Sequence, residues 1–240
     1  MKHILLYLLI VFLFPPGSIG QIAFSDYYTF GSNAVSEGLY FQDNILARYA
    51  YGKFSLGAGV QLTAGYSDQQ LLSGLLLEGT TTLFADRFPV VVSLLFLRRP
   101  YSRLLSENNF SLTVQHRWKH LELILGNNIR IWRLSRNEMR QLGMSGATDL
   151  GITEYRNLVY RLTWYLKPIG SVWNLSLSLT DFDDFLIQRG TNPMLAFGFE
   201  KVLQPDLELF SQLWYQGAGM FNLQADYFGF YFKTGIRWQF

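Results

Sequence analysis

Hydrophobic and polar residues alternate along most of this chain, and the pattern is clearest in its last stretch. One face of that stretch carries Phe228, Phe230, Phe232, Thr234, Ile236, Trp238 and Phe240, and the other carries Tyr231, Lys233, Arg237 and Gln239. A period of two indicates a β-strand with one apolar and one polar face. The alternation predicts strands at 22–31, 38–50, 53–66, 71–84, 89–99, 109–118, 121–134, 153–166, 171–181, 194–203, 206–216 and 227–240.

The connections between these strands alternate in length. Short connections with Gly, Pro, Asp or other polar turn residues lie at 51–53, 85–87, 119–120, 168–170 and 204–206, and longer ones at 100–108, 135–152, 182–193 and 217–226. Membrane barrels have an even number of strands, short periplasmic turns and long outer loops. We therefore predict an all-β fold, a transmembrane antiparallel up-and-down β-barrel of about 12 strands. The alternative is 10 strands, because the first strand has the weakest pattern.

The N-terminus has the order of a secretory signal peptide. Lys2 and His3 precede an apolar run from Ile4 to Phe14, and small residues follow up to Gly20. A membrane-spanning helix would need roughly 20 apolar residues, which is longer than this run. We predict that residues 1–20 are removed after Gly20, and that 21–240 form one exported barrel domain.

The composition favours a membrane barrel over a soluble β-sandwich, which is the other all-β alternative. Charged residues make up 16% of the chain and aromatic residues 17%, and the mean hydropathy is +0.10. After residue 20 the apolar content is spread over alternate positions and never forms a run long enough for a helical span. The chain has 0 cysteines and a net charge of +2, so neither a disulfide framework nor nucleic-acid binding is indicated.

Four tryptophans predict the orientation of the barrel. Trp118 and Trp164 end strands that lead into short turns, Trp173 begins a strand that leaves one, and Trp238 lies near the C-terminus. On the predicted alternation all four face outward at the periplasmic end. Amphipathic rings at one height are typical of an aromatic girdle at the membrane surface.

The C-terminal sequence KTGIRWQF resembles the assembly signal of bacterial outer-membrane β-barrel proteins. Lys233, Gly235, Trp238 and Phe240 occupy the positions of its polar residue, glycine and two hydrophobic or aromatic residues. The resemblance implies location in the bacterial outer membrane, contact with outer-membrane lipid, and insertion by the β-barrel assembly machinery. A strand with an unpaired edge can also template strand addition, which suits a signal at a terminus.

The inward face is predicted to carry the charged residues, because an arginine facing lipid at mid-membrane costs about 2–4 kcal/mol. Gln61, Asn128 and Gln212 belong to the same face. The predicted basic lining residues are Arg48, Arg99, Arg117, Arg130, Arg161, Lys233 and Arg237, and their predicted acidic partners are Glu78, Glu122, Glu200 and Glu208. Three arginines, Arg99, Arg130 and Arg161, are expected in the upper half, where only Glu78 opposes them. The upper lumen is therefore predicted to be net basic.

Two functions are compatible with such a lumen. A ring of guanidinium groups in a narrow pore favours anionic solutes such as carboxylates and phosphates. Alternatively, charge networks fill the interior, because a barrel of this size lies between filled eight-stranded barrels and open porins. We predict a narrow channel for small solutes with a preference for anions. The other hypothesis is an accessory barrel subunit without transport of its own.

No enzyme, cofactor or metal centre is predicted. His116 lies at the periplasmic height, His120 lies in a turn, and no His-x-Ser sequence occurs. The acidic residues Asp181, Asp183 and Asp184 lie in a predicted outer loop, where carboxylates are usually solvated or bind Ca²⁺ weakly.

Three polar residues fall on the predicted lipid face: Asp26, Asp43 and Asn127. A hairpin centred near residue 34 would place Asp26 opposite Asp43, an unfavourable pair unless a cation or partner intervenes. The Asn127/Asp43 face is therefore the predicted contact for an envelope-complex partner. The alternative is that the first strand has another register or lies inside the barrel.

Overall fold

The computed structural model describes residues 20–33, 39–64, 72–84, 88–141, 152–188, 192–218 and 226–240. Except for Gly20, the predicted signal peptide lies outside these residues and stays a prediction. The strands are β1 (Gln21–Asn33), β2 (Tyr40–Tyr51), β3 (Phe54–Ala64), β4 (Leu72–Leu83), β5 (Val90–Pro100), β6 (Leu105–Arg117), β7 (Leu121–Leu134), β8 (Ile152–Tyr165), β9 (Trp173–Thr180), β10 (Phe182–Asp183), β11 (Leu186–Ile187), β12 (Met194–Gln204), β13 (Leu207–Ala218) and β14 (Asp226–Gln239).

Twelve of these strands form one closed antiparallel barrel, in the order β1-β14-β13-β12-β9-β8-β7-β6-β5-β4-β3-β2. Each strand pairs with its neighbours in this order, and β1 pairs with β14 to close the ring. The backbone N–H of Phe240 donates to the carbonyl of Ile22 (2.7 Å), so hydrogen bonding at this seam reaches the last residue. The prediction of 12 strands, including the first, is confirmed.

Side chains alternate between the lumen and the outer wall along every barrel strand. On β14, Tyr231 and Lys233 are buried while Phe230 and Phe232 are exposed on the outer wall. Exposed Leu, Phe, Val and Trp side chains surround the barrel in the same way. Water does not favour so large an apolar surface, so this belt faces lipid.

Short turns lie at one end of the barrel, which we call the turn end; the opposite end is the loop end. Gly52 (φ 60°) and Gly170 (φ 89°) sit in two of these turns, in a backbone region that side chains other than glycine rarely adopt. The connection after β7 holds a short helix, α1 (Arg136–Gln141). Within the described ranges, no helix has the length and apolar character needed to cross a membrane.

Two connections differ from the sequence prediction. The sequence predicts 182–193 as an outer loop, but β10 and β11 form a small hairpin whose side chains are buried against the inner wall. Strand β6 begins at Leu105 rather than at residue 109, so the predicted loop 100–108 is shorter. The first difference places a segment of chain inside the lumen, and the second adds Glu107 to the lumen lining.

Candidate functional site

An apolar layer crosses the lumen at mid-height. Phe185 and Ile187 of the hairpin β10–β11 form its centre, at 3% and 4% exposure. The surrounding wall residues come from six strands distributed around the barrel: Tyr27, Leu46, Leu76, Leu97, Val159 and Phe210. The hairpin therefore packs against the wall on several sides of the lumen.

Two wall glycines make room for the ring of Phe185. A Cβ atom on Gly74 would lie 2.8 Å from Cδ1 of Phe185, and one on Gly59 would lie 3.1 Å from its Cζ. Such distances are too short for ordinary van der Waals contact, so alanine at either position would force the ring to move. The wall has a notch whose shape fits this aromatic side chain.

The hairpin is also held by a buried ion pair. Both carboxylate oxygens of Asp183 lie 2.6 Å from Nζ of Lys233, and the two side chains are 9% and 5% exposed. The hydroxyl of Tyr231 donates to Asp183 (3.2 Å), and that of Tyr27 donates to Asp184 (2.8 Å). A carboxylate and an ammonium group removed from water need this degree of pairing.

Cations surround the second acidic residue of the hairpin as well. Burial alone would raise the pKa of Asp184, but Lys233, Arg48 and Arg161 hold it well below its usual range. Asp184 Oδ2 lies 3.6 Å from Nζ of Lys233. Asp184 is therefore ionised near neutral pH and attracts the basic wall.

Two predicted lining arginines bind the backbone of the hairpin. Arg130 Nη2 donates to the carbonyl of Ile187 (2.6 Å), and Arg161 Nη2 donates to that of Phe182 (3.0 Å). The guanidinium of Arg161 also lies 4.4 Å from the ring centroid of Phe182, a cation–π geometry. Both arginines therefore contact the hairpin β10–β11 directly.

The prediction that only Glu78 opposes the upper arginines is wrong. Glu107 forms a buried salt bridge with Arg130 (2.9 Å), while Glu78 pairs with Arg48 instead (2.8 Å). Arg99 lies 5.1 Å from the ring centroid of Tyr101, and its Nε has no hydrogen-bond partner among the described residues. The basic surplus expected from the sequence is reduced because β6 and the hairpin bring carboxylates into the lumen.

Asp181 stands at the base of the hairpin and is fully buried. Its Oδ1 accepts the backbone N–H of Tyr160 (2.7 Å), whereas Oδ2 has no hydrogen-bond partner among the described residues. Burial raises the pKa of Asp181 to about 7, although the backbone hydrogen bond and nearby Arg161 and Arg130 oppose the shift. This carboxyl group therefore changes charge near neutral pH.

On the turn-end side of the hairpin the lumen contains a cavity of about 610 Å³. Ion pairs between wall residues border it: Arg48 with Glu78, Arg117 with Glu122, and Arg237 with Glu200 (3.2 Å) and Glu208 (3.1 Å). Counting the hairpin, the lining holds six basic and six acidic residues. Serine, threonine and asparagine make up most of the remaining polar lining residues.

The other predicted lumen residues also lie inside the barrel. Gln61 and Asn128 are buried on the inner wall, and Gln212 borders the cavity. Sequence reasoning missed Glu107, Tyr27, Tyr231 and the hairpin acids as neighbours of the basic residues. The alternation at Glu107, Asn109 and Ser111 is a local signal that could have extended β6. No comparable signal indicated that the hairpin turns inward.

The predicted girdle residues lie on the outer wall at the turn end. Trp118, Trp164, Trp173 and Trp238 are 40–48% exposed. Lys167 Nζ lies 3.2 Å from the ring centroid of Trp173, and Nε1 of Trp238 donates to Asp206 (3.0 Å). At mid-height of the seam, a Cβ on Gly235 would lie 2.2 Å from Cβ of Tyr27, so β14 and β1 approach closely there.

The predicted partner face is not one surface. Asp43 lies on β2 and Asn127 on β7, with four strands between them, so the two residues lie on different sides of the barrel. Asp26 pairs with Ile45 rather than with Asp43. Asp26 and Asp43 are nevertheless diagonal neighbours on the outer wall, because the register differs by two residues from the predicted one.

The closed barrel and its apolar belt define an integral outer-membrane β-barrel protein. No family model and no curated protein matches the chain. Among solved structures, the KdgM porin in complex with disordered oligogalacturonate is similar at 8% identity, with a TM-score of 0.55 over 91% of this chain and 99% of that one.

Two further solved structures have a similar fold. The NanC porin matches at 12% identity and a TM-score of 0.53, covering 90% of this chain and 98% of its own. An outer-membrane channel from Pseudomonas putida F1 matches at 12% identity and a TM-score of 0.53, covering 92% and 96%. The structural matches establish a shared fold over nearly the whole chain, and at identities this low they establish the fold alone.

Proposed function

We propose that this protein is a narrow outer-membrane channel for small solutes, and that the hairpin β10–β11 is its internal gate. The observation that carries the proposal is the hairpin inside the lumen, with a charged cavity of about 610 Å³ on its turn-end side. The similar solved structures named as porins or channels support the same class of function.

The wall by itself does not fill this barrel. In eight-stranded barrels, wall side chains are enough to occupy the interior, whereas 12 strands enclose a wider space. Here a segment of chain occupies the centre, and small residues such as Gly59 and Gly74 face it. Displacing that segment would join the cavity to the loop end of the lumen.

Opening by this route also favours anions. With the hairpin in place, basic and acidic lining residues are equal in number, six and six. Displacement removes Asp183 and Asp184 from the lining, which leaves six basic and four acidic residues. Lys233 then loses its carboxylate partners and becomes available to a passing anion.

Planar-bilayer recording of the purified protein tests the proposal. A variant with 182–187 replaced by six Gly and Ser residues should conduct more than the wild type and prefer chloride over potassium. The control replaces the turn residues Lys119 and His120, neither of which borders the cavity, with Gly and Ser, and its conductance should be unchanged. Absence of current from wild type and hairpin variant alike would contradict a channel function.

The second candidate function is an accessory barrel subunit without transport. The specific observation that favours it is the pair of outward-facing carboxyl groups of Asp26 and Asp43, which a passive channel does not need. This function predicts no current from the hairpin variant, together with a stoichiometric protein partner in mild detergent.

For assembly, we infer that the C-terminal strand is the part recognised by the β-barrel assembly machinery. Support comes from the resemblance of KTGIRWQF to the outer-membrane signal and from the pairing of Phe240 with Ile22. Deleting Phe240, or changing Trp238 and Phe240 to Ala, should reduce membrane insertion while leaving export intact. Normal amounts of heat-modifiable folded barrel would contradict this role.

A further inference from the structure

A row of polar side chains crosses the seam of the barrel on its outer wall. Ser211 of β13 pairs with Thr234 of β14, Thr234 pairs with Tyr28 of β1, and Tyr28 pairs with Asp43 of β2. We call Ser211, Thr234, Tyr28 and Asp43 the seam row. Residues in direct register on adjacent strands lie side by side, so the row is continuous over four strands.

The neighbouring rows show that this polarity is local. On the loop-end side, the same four strands present Leu213, Phe232, Phe30 and Phe41. On the turn-end side they present Leu209, Ile236, Asp26 and Ile45. Apart from Asp26, which adjoins the row diagonally, both flanking rows are apolar and suit lipid.

The seam row lies close to the middle of the membrane. Trp238 of the girdle pairs with Phe24, and the seam row is four residues farther along both strands. Four residues of a strand span roughly 13 Å, or about 10 Å of membrane depth for a tilted strand. The apolar band of such barrels is about 25 Å tall, so no lipid headgroup reaches this row.

Only part of the polarity is satisfied within the described chain. The hydroxyl groups of Ser211 and Thr234 are hydrogen-bonded to each other (2.9 Å). The carboxyl groups of Asp26 and Asp43 share a hydrogen bond, and Oδ1 of each has no hydrogen-bond partner among the described residues. Ionisable groups at this depth in a bilayer are destabilising unless they face a partner.

We propose that the seam row, together with Asp26, is a docking surface for another membrane protein that presents a lysine or arginine at the same depth. Charge complementarity selects this occupant. A basic side chain would neutralise the two carboxyl groups, and its flanking apolar residues would cover Phe30 and Phe41. A second copy of this chain fits poorly, because a two-fold axis along the membrane normal places like charges at equal height.

Site-specific cross-linking in native membranes tests the surface, and the absence of cysteine makes single labels unambiguous. A photoreactive label on Thr234→Cys should cross-link a protein whose cross-linked peptide contains a membrane-embedded lysine or arginine. The control label on Leu112→Cys, on the outer wall of β6, should yield lipid adducts only. Adding Asp26→Asn and Asp43→Asn should lower the protein adduct at least about ten-fold.

Three cross-linking results would overturn the proposal. The first is lipid adducts alone from Thr234→Cys. The second is a cross-link to a second copy of this chain. The third is a protein adduct that the two Asn substitutions leave unchanged, since that contact would not depend on charge.

Thermal unfolding of the purified barrel tests the docking surface independently of cross-linking. Without the partner, the two carboxyl groups remain uncompensated, so the Asp26→Asn/Asp43→Asn variant should unfold at a Tm higher by about 3 °C or more at pH 8. The matched control, Ser211→Ala/Thr234→Val, removes a satisfied hydrogen bond and should not raise the Tm. An unchanged or lower Tm in the Asn variant would mean that the barrel itself satisfies these groups, and would reject the docking surface.

Discussion

Charged residues in the turn-end half of the lumen pair with one another across the wall, whereas Lys233 at mid-height pairs with the hairpin. Arg48 and Arg117 of the turn-end half are 39% and 58% exposed, so water solvates and screens their guanidinium groups. Lys233 at mid-height is 5% exposed, and its carboxylate partners belong to the hairpin β10–β11 rather than to the wall. The exposed ion pairs of the turn-end half therefore contribute little to stability. The buried pair at mid-height holds the proposed gate in place.

The two halves should differ most in how strongly the loss of one carboxylate charge weakens hairpin closure. Asp183→Asn leaves Lys233 buried beside Asp184 alone, and should weaken hairpin closure by about 3 kcal/mol. Single-channel recording should show an increase in open probability of roughly two orders of magnitude. The control Glu78→Gln breaks a wall pair whose arginine, Arg48, is 39% exposed, and should change closure by less than about 1 kcal/mol. Equal effects from the two variants would remove the distinction between the halves.

Shape gives a second way to separate the halves without changing charge. Gly74→Ala places a Cβ 2.8 Å from the Phe185 ring and should weaken closure by about 2 kcal/mol. Gly79→Ala in the same strand meets its nearest atom at 3.7 Å, on Leu56, and should leave the open probability unchanged. If Gly74→Ala conducts like the wild type, the notch does not position the hairpin.

Acidification should strengthen the closed state through Asp181. Burial raises its pKa to about 7 from 3.8, so the closed hairpin takes up a proton that the displaced hairpin does not. Closure therefore weakens as the pH rises from 3.8 to 7 and is constant above 7. Asp184 stays ionised over this range because its pKa is lowered.

Bilayer current at pH 5.5 should accordingly be lower than at pH 7.5, by up to about ten-fold per pH unit below pH 7. Asp181→Asn should remove most of this dependence. A full pH response in that variant would assign the effect to another group.

The smallest effect is expected at the mouth of the cavity. Arg117→Gln removes a guanidinium whose side chain is more than half exposed, so the free energy of unfolding should change by less than about 1 kcal/mol. Thermal unfolding measures this change, and reversal potentials in a salt gradient should show a slightly lower anion preference. A Tm loss as large as that of Asp183→Asn would contradict the solvated character of this half.

The alternation of the chain was enough to predict the barrel. Each strand has one face toward the hydrocarbon and one toward the lumen, so the period-two alternation assigns every side chain to one of them. It therefore predicts the twelve strands, the outward tryptophans and the inward position of residues such as Arg48. These properties are local, so a single sequence reports them.

Only the tertiary structure decided what fills the barrel and which groups pair. Asp183 meets Lys233 across 50 positions of sequence. The hairpin turns inward because a glycine notch on β3 and β4 receives Phe185, and Asp26 meets Ile45 because of a register that no local pattern specifies. Whether a segment forms a strand depends on residues that are neighbours in sequence. The position of the gate depends on surfaces far apart in sequence, which become complementary only after the barrel has closed.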